Sequence, residues 1–275
     1  MKFLFLLLPF NLYAFTLNTS NAVSFDTDVI KVYVSQNDCA EISATADELE
    51  SMTREAINQY WSRIPATSLN LEVVGKKSLD NPFRDEEVCS AVTPQGECTA
   101  NENLKVDEGI IISCNTNAGN FGNGILGLSV PNNTTAFAIK GSIVLLNDTN
   151  ASNPLASYGR DQIIDVIAHE LGHAIGLGHT SKSENLMYFN VIEKRERLGF
   201  DDIAGVTYLY PSDNVFGTCA SVAPIGGTSA LAFFLGLFIP GLYRIKKRVK
   251  KLSSFLVIQK FIKRWKSRGK ENHIS

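Results

Sequence analysis

Between residues 25 and 211 the apolar positions fall into short blocks whose period switches between two and nearly four. Alternation over 29–34 predicts a strand. Residues 45–60 change to helical spacing, with Leu49, Met52, Ala56 and Tyr60 on one face and Thr45 and Glu48 placed as a capping-box pair. Leu69, Leu71 and Val73 alternate with polar partners and predict a second strand. The apolar run 109–113 predicts a third, and 125–130 a fourth, bounded by Gly124 and Pro131. Two more sheet segments, 136–139 and 142–146, flank Lys140 and Gly141. A helix follows over 160–176, its buried stripe made by Ile164, Ile167, Ala168, Leu171 and Ile175, and Gly176 ends it. After a long loop, Asp201 and Asp202 are expected to cap a last helix over 203–209, stopped by Pro211. This order predicts one α+β domain over 25–211, without internal repeats or low-complexity linkers.

The two ends of the chain follow other patterns. Lys2, an apolar run from Phe3 to Phe10 and the small Ala14 suggest a signal peptide over 1–14, since the run is too short to span a bilayer. Residues 222–243 carry no charge and are long enough for one transmembrane helix, joined to the domain by a juxtamembrane linker, 212–221. Arg244, Lys246, Lys247, Arg248, Lys250 and Lys251 follow directly, and positive flanks stay cytoplasmic. The domain over 25–211 is therefore expected outside, in the periplasm or at the cell surface. Residues 244–275 hold 12 of the 26 Lys and Arg residues but one acid, Glu271. The net charge of −2 thus averages an acidic body and a basic tail. Apolar residues recur among the tail's lysines, as in an amphipathic helix resting on anionic lipid. An exported membrane protein gives nucleic-acid binding little room. Cleavage after Gly227, as in a bacterial sorting tail, is the rival to permanent anchoring, disfavoured by the long stretch after Lys251.

Five cysteines remain for an oxidising compartment: Cys39, Cys89, Cys98, Cys114 and Cys219. Cys89 with Cys98 would close a short loop, and Cys219 is the natural odd one. Four cysteines allow three pairings, among which the sequence does not choose.

Chemistry concentrates in residues 169–179, HELGHAIGLGH. His169 and His173 are four apart on a helix, so both imidazoles leave one face and can hold one metal ion. Gly176 lets the chain turn and bring round His179 as a third nitrogen. Three nitrogens leave one position of a zinc ion open, the arrangement of a catalytic site. Glu170 is adjacent without being a ligand. The expected reaction is attack on a peptide carbonyl by a zinc-bound water, with Glu170 as general base and then acid.

Met187 lies eight residues beyond His179, within Asn185-Leu186-Met187-Tyr188, and looks like the methionine of a metzincin Met-turn. Together with Thr180, Asp201-Asp202-Ile203-Ala204-Gly205 and Gly124-Ile125-Leu126-Gly127, it makes the chain resemble the matrixins, the matrix-metalloprotease family and its bacterial relatives. That resemblance implies a metzincin-like α+β domain with a twisted, mostly parallel sheet, an active-site helix and a C-terminal helix. It implies a cleft between an edge strand and the zinc helix, with Met187 supporting the site. Substrate would add as a strand to the edge, near Gly127 and Tyr188, and the Gly127 carbonyl would help hold the new amine. Asp165 falls near the base of the specificity pocket, where an acid would favour long basic side chains.

There are departures as well. Leu128 stands where animal matrixins carry a His for a second zinc, so one catalytic zinc is expected. Residues 15–27 are too few for a cysteine-switch prodomain, and Phe189 replaces the usual Pro after the Met-turn. Asp107 and the Asn-rich stretches 115–123 and 147–150 could supply oxygens to calcium. The expected function is a zinc metalloendopeptidase acting on protein or peptide substrates. The alternative is a non-catalytic zinc-binding adhesion or interaction module, for which Glu170 would be superfluous.

Overall fold

The computed structural model describes residues 15–212 except 20–21, 66, 94–97, 123, 151–153 and 191–196, and Arg63 and Pro154 by their backbone alone. The proposed leader, nearly all of the linker, the apolar segment 222–243 and the basic tail lie outside these residues. Among the described residues no helix is long and apolar enough to cross a membrane.

Among the described residues there are eight strands and four α-helices: β1 (Ser24–Phe25), β2 (Ile30–Ser35), α1 (Ala46–Gln59), β3 (Leu71–Lys77), α2 (Pro82–Asp85), β4 (Cys89–Val92), β5 (Cys98–Ala100), β6 (Gly109–Asn115), β7 (Gly127–Thr134), β8 (Ala138–Asn147), α3 (Arg160–Ala174) and α4 (Phe200–Leu209). The main sheet runs β1-β8-β6-β2-β3, all parallel, and β7 joins β8 antiparallel. The α+β class is the one the element order predicts, and the mostly parallel sheet is the one the resemblance implies. The sheet is covered on both faces, which is why β6 reads as an unbroken apolar run. Ile110, Ile112, Val144 and Leu146 pack on the side of α1 and α3. Ile111, Ile143 and Leu145 pack on the other side with Phe83, Val88, Leu104 and Phe121.

Helix α1 starts as expected. Thr45 Oγ1 accepts from the Glu48 amide at 3.2 Å, and Glu48 returns a carboxylate to the Thr45 amide at 2.8 Å.

Four expectations change. The two segments around Lys140 are one strand, because β6 and β7 both pair through Gly141 and carry the ladder across it. Pro131 lies inside β7 rather than ending it, since an edge strand loses nothing on its unpaired side. The second strand runs from Leu71 to Lys77, passing a register shift opposite Val32 and Tyr33. Helix α4 begins at Phe200 with Gly199 as N-cap, and Asp202 lies in its first turn, where its carboxylate takes the Gly199 amide at 2.8 Å.

Among the described residues the disulfides are Cys39–Cys114 and Cys89–Cys98. The second joins the β4–β5 hairpin, an element that its mostly polar, exposed residues did not announce. Beside the first, the buried Asp148 accepts three backbone amides, from Ala40, Glu41 and Ile42, at 2.8–3.2 Å.

Candidate active site

Helix α3 presents His169 and His173 one turn apart. Each Nδ1 faces a backbone carbonyl, Leu186 at 2.7 Å and Leu177 at 2.8 Å, so the ring protons sit on Nδ1 and both Nε2 atoms offer lone pairs. Past α3 the chain reverses at Gly176, whose φ of 111° disfavours any side chain. The reversal carries His179 back over the helix. Its Nε2 lies 3.1 Å from that of His173, which lies 3.1 Å from that of His169.

With the protons of His169 and His173 on Nδ1, no hydrogen bridges those two Nε2 atoms, and lone pairs that face each other at this distance repel unless a cation lies between them. Tetrahedral ligands at about 2.0–2.1 Å from zinc stand about 3.3 Å apart, close to the spacing found. Three neutral imidazoles suit zinc or another late transition metal, and not calcium or magnesium. The triad can therefore hold a metal ion, and among the described residues it is the cluster of His, Cys, Asp and Glu side chains that could.

Glu170 is 6% exposed and packs against the edge strand. A Cβ at Gly127 would come within 2.8 Å of its Cγ, so the glycine makes room for the carboxylate. Burial pushes the Glu170 carboxyl up to about 8 and His173 down to about 4, and lowers His179 as well. A bound dication reverses this logic for the acid, favouring its ionised form.

The loop beneath the triad is held from two directions. Met187 is buried, its sulfur occupying the space that a side chain at Gly172 would need. Asp202 accepts the amides of Leu186 at 2.6 Å and Met187 at 3.1 Å, and Asp201 takes the Thr180 hydroxyl at 3.0 Å. The acidic pair read as a helix cap thus fastens the Met-containing turn to α4. On the other side, residues 16–18 run beside the His179 loop. The Thr16 hydroxyl donates to the His179 carbonyl, the Gly178 amide to the Thr16 carbonyl, and Asn18 Nδ2 to the His173 carbonyl at 2.7 Å.

A cleft of about 530 Å³ contains all three histidines and Glu170, and Gly127, Asp165 and Tyr188 also line it. The site residues expected from the sequence therefore converge, with Met187 beneath them. Four contributors were not anticipated. Trp61 Nε1 donates to the Ala168 carbonyl at 3.1 Å, and the Tyr60 hydroxyl donates to Asp165. Thr16 and Asn18 lie too far along the chain, with too ordinary a composition, to be linked to the motif. The Asn-rich stretch considered for calcium bonds to the chain itself: the side-chain oxygens of Asn115, Asn117 and Asn120 accept protein N–H groups.

Comparison with known proteins finds a likeness over part of the chain. The matrixin peptidase family model matches residues 87–211. Stromelysin-2 of Rattus norvegicus is 41% identical over 71 residues, 23% of this chain and 14% of that protein. Metalloendoproteinase 2-MMP of Arabidopsis thaliana is 36% identical over 58 residues, 20% of this chain and 15% of that protein. Stromelysin-1 of Equus caballus is 47% identical over 49 residues, 16% of this chain and 10% of that protein. The chain thus spans at most 15% of the length of these three relatives. Over residues 87–211 it is similar to the matrixin peptidases.

Proposed function

We propose that this matrixin-like chain is a zinc-dependent metalloendopeptidase that hydrolyses peptide bonds in protein or peptide substrates. The convergence of three Nε2 atoms beside a buried carboxylate carries the reading. His169, His173 and His179 would hold the ion and Glu170 would not. Zinc supplies Lewis acidity, lowering the pKa of water and polarising a carbonyl. Glu170 takes the proton from the attacking water and delivers it to the leaving amine. Met187 supports the triad from below.

Strand β7, paired on one side with β8, offers its other edge to an extended substrate through backbone hydrogen bonds. Gly127 lies where that strand meets Glu170, so its carbonyl helps hold the new amine, and Tyr188 forms the facing wall. Two disulfides support an oxidising, extracytoplasmic setting. The uncharged stretch 222–243 and the basic cluster behind it support a single-pass anchor with its tail on anionic lipid.

The test compares cleavage of casein by wild type and Glu170→Ala, with zinc content measured on both. The expected result is a loss of about 10²–10⁴-fold in rate with zinc retained. Equal rates would leave an adhesion module as the better reading.

A further inference from the structure

We infer that α4 rests its outer face on the bilayer surface to which the chain is tethered. This rests on the single-pass anchor proposed above and adds a lipid-docking surface to it. A surface helix ordinarily buries its apolar stripe and turns its charges outward. Helix α4 does the reverse. Its charged residues, Asp201 and Asp202, are 3% and 2% exposed. At about 100° per residue, Phe200, Ile203, Ala204, Thr207 and Tyr208 share the opposite face, which carries no charge. Phe200 is 63% exposed, Tyr208 58% and Ile203 36%. Tyr208 keeps that exposure although the Phe15 ring stands 5.3 Å from its own.

Charge and tether favour lipid over a protein partner. The residues before 244 include 27 acids against 14 Lys and Arg, so anionic headgroups repel the body as a whole. A face without acids is where it can touch them. Residues 210–221 separate α4 from the uncharged stretch that begins at 222, and fully extended they reach about 43 Å at most. An anchor at 222 therefore keeps this helix within reach of the lipid. Aromatic rings with a polar tip, such as Tyr208, settle between headgroups and acyl chains, and a helix with one apolar face lies along that boundary. Asp202 fastens α4 to the amides of Leu186 and Met187, so seating the helix also sets the direction in which the cleft opens above the membrane.

The test uses the full-length protein in vesicles of phosphatidylcholine and phosphatidylglycerol. Ile203→Cys and Val74→Cys, each combined with Cys219→Ser, carry the same fluorophore. Val74 is 50% exposed and serves as the reference, since its neighbour Val73 enters the apolar cluster that α4 joins and Val74 points the other way. Nitroxide-bearing lipid should quench the Ile203 label at least about twofold more than the Val74 label. Ala204→Glu with Thr207→Glu should bring the two labels level, with zinc content unchanged. A difference that survives both glutamates overturns the inference, as does equal quenching in protein that resists alkaline washing. An Ile203 label shielded from lipid quencher and aqueous iodide alike would mean that protein covers the face, and also overturns it. Release of the protein by alkaline washing overturns the anchor, and this inference with it.

Discussion

At Gly127 and Glu170, two residues 43 positions apart in sequence occupy adjoining space. A methyl group at Gly127 would press on the Glu170 side chain, which is hemmed in by its burial. We expect Gly127→Ala to lower cleavage by about 10- to 100-fold, as small misplacements of catalytic groups do. Zinc content should stay at the wild-type level, and elemental analysis beside the rate checks this. The pairing of His169 with His173 was legible because helical spacing alone puts them on one face. The fixing of their rings was not legible: the acceptors are the carbonyls of Leu186 and Leu177, and a carbonyl leaves no mark on residue identity. The same holds for Trp61, whose indole reads the Ala168 carbonyl.

Elements decide how firmly the triad is held. Helix α4 does so through Asp202, which accepts from Leu186, Met187 and Gly199. Asp202→Ala leaves buried amides unpaired and should lower unfolding free energy by at least about 1–3 kcal/mol. Denaturant titration measures this, and Asp202→Asn should lose less, since it keeps an acceptor. The segment at residues 16–18 acts on the loop that carries His179. Asn18→Ala and Thr16→Ala should each weaken zinc affinity about 10- to 100-fold, the usual effect of removing a partner that orients ligands. Competition with a chromophoric chelator reads that directly, and an unchanged affinity would show the segment to be mere cover. Helix α1 could be read to within a residue because its cap and its apolar stripe agree. The β7–β8 pair was misjudged where Gly and Pro stand, at 131 and 140–141, because partner strands rather than local propensity settle those positions.

For the molecule as a whole, the Cys39–Cys114 bridge closes a 75-residue separation between the start of the α1 region and β6. Replacing both cysteines by alanine should cost about 2–5 kcal/mol of stability, by equilibrium unfolding of the oxidised wild type against the variant. The sequence left this pairing among three, because proximity across a parallel sheet does not register in spacing along the chain. The opposed charge of body and tail was, by contrast, visible at once.

All of the proposed chemistry turns on one ion held by three ring nitrogens. Zinc-edge X-ray absorption on the full-length protein carrying one equivalent of zinc reads that shell directly. It should show three imidazole nitrogens at about 2.0–2.1 Å and one further light atom. A shell containing sulfur, or protein that retains no zinc, would contradict it.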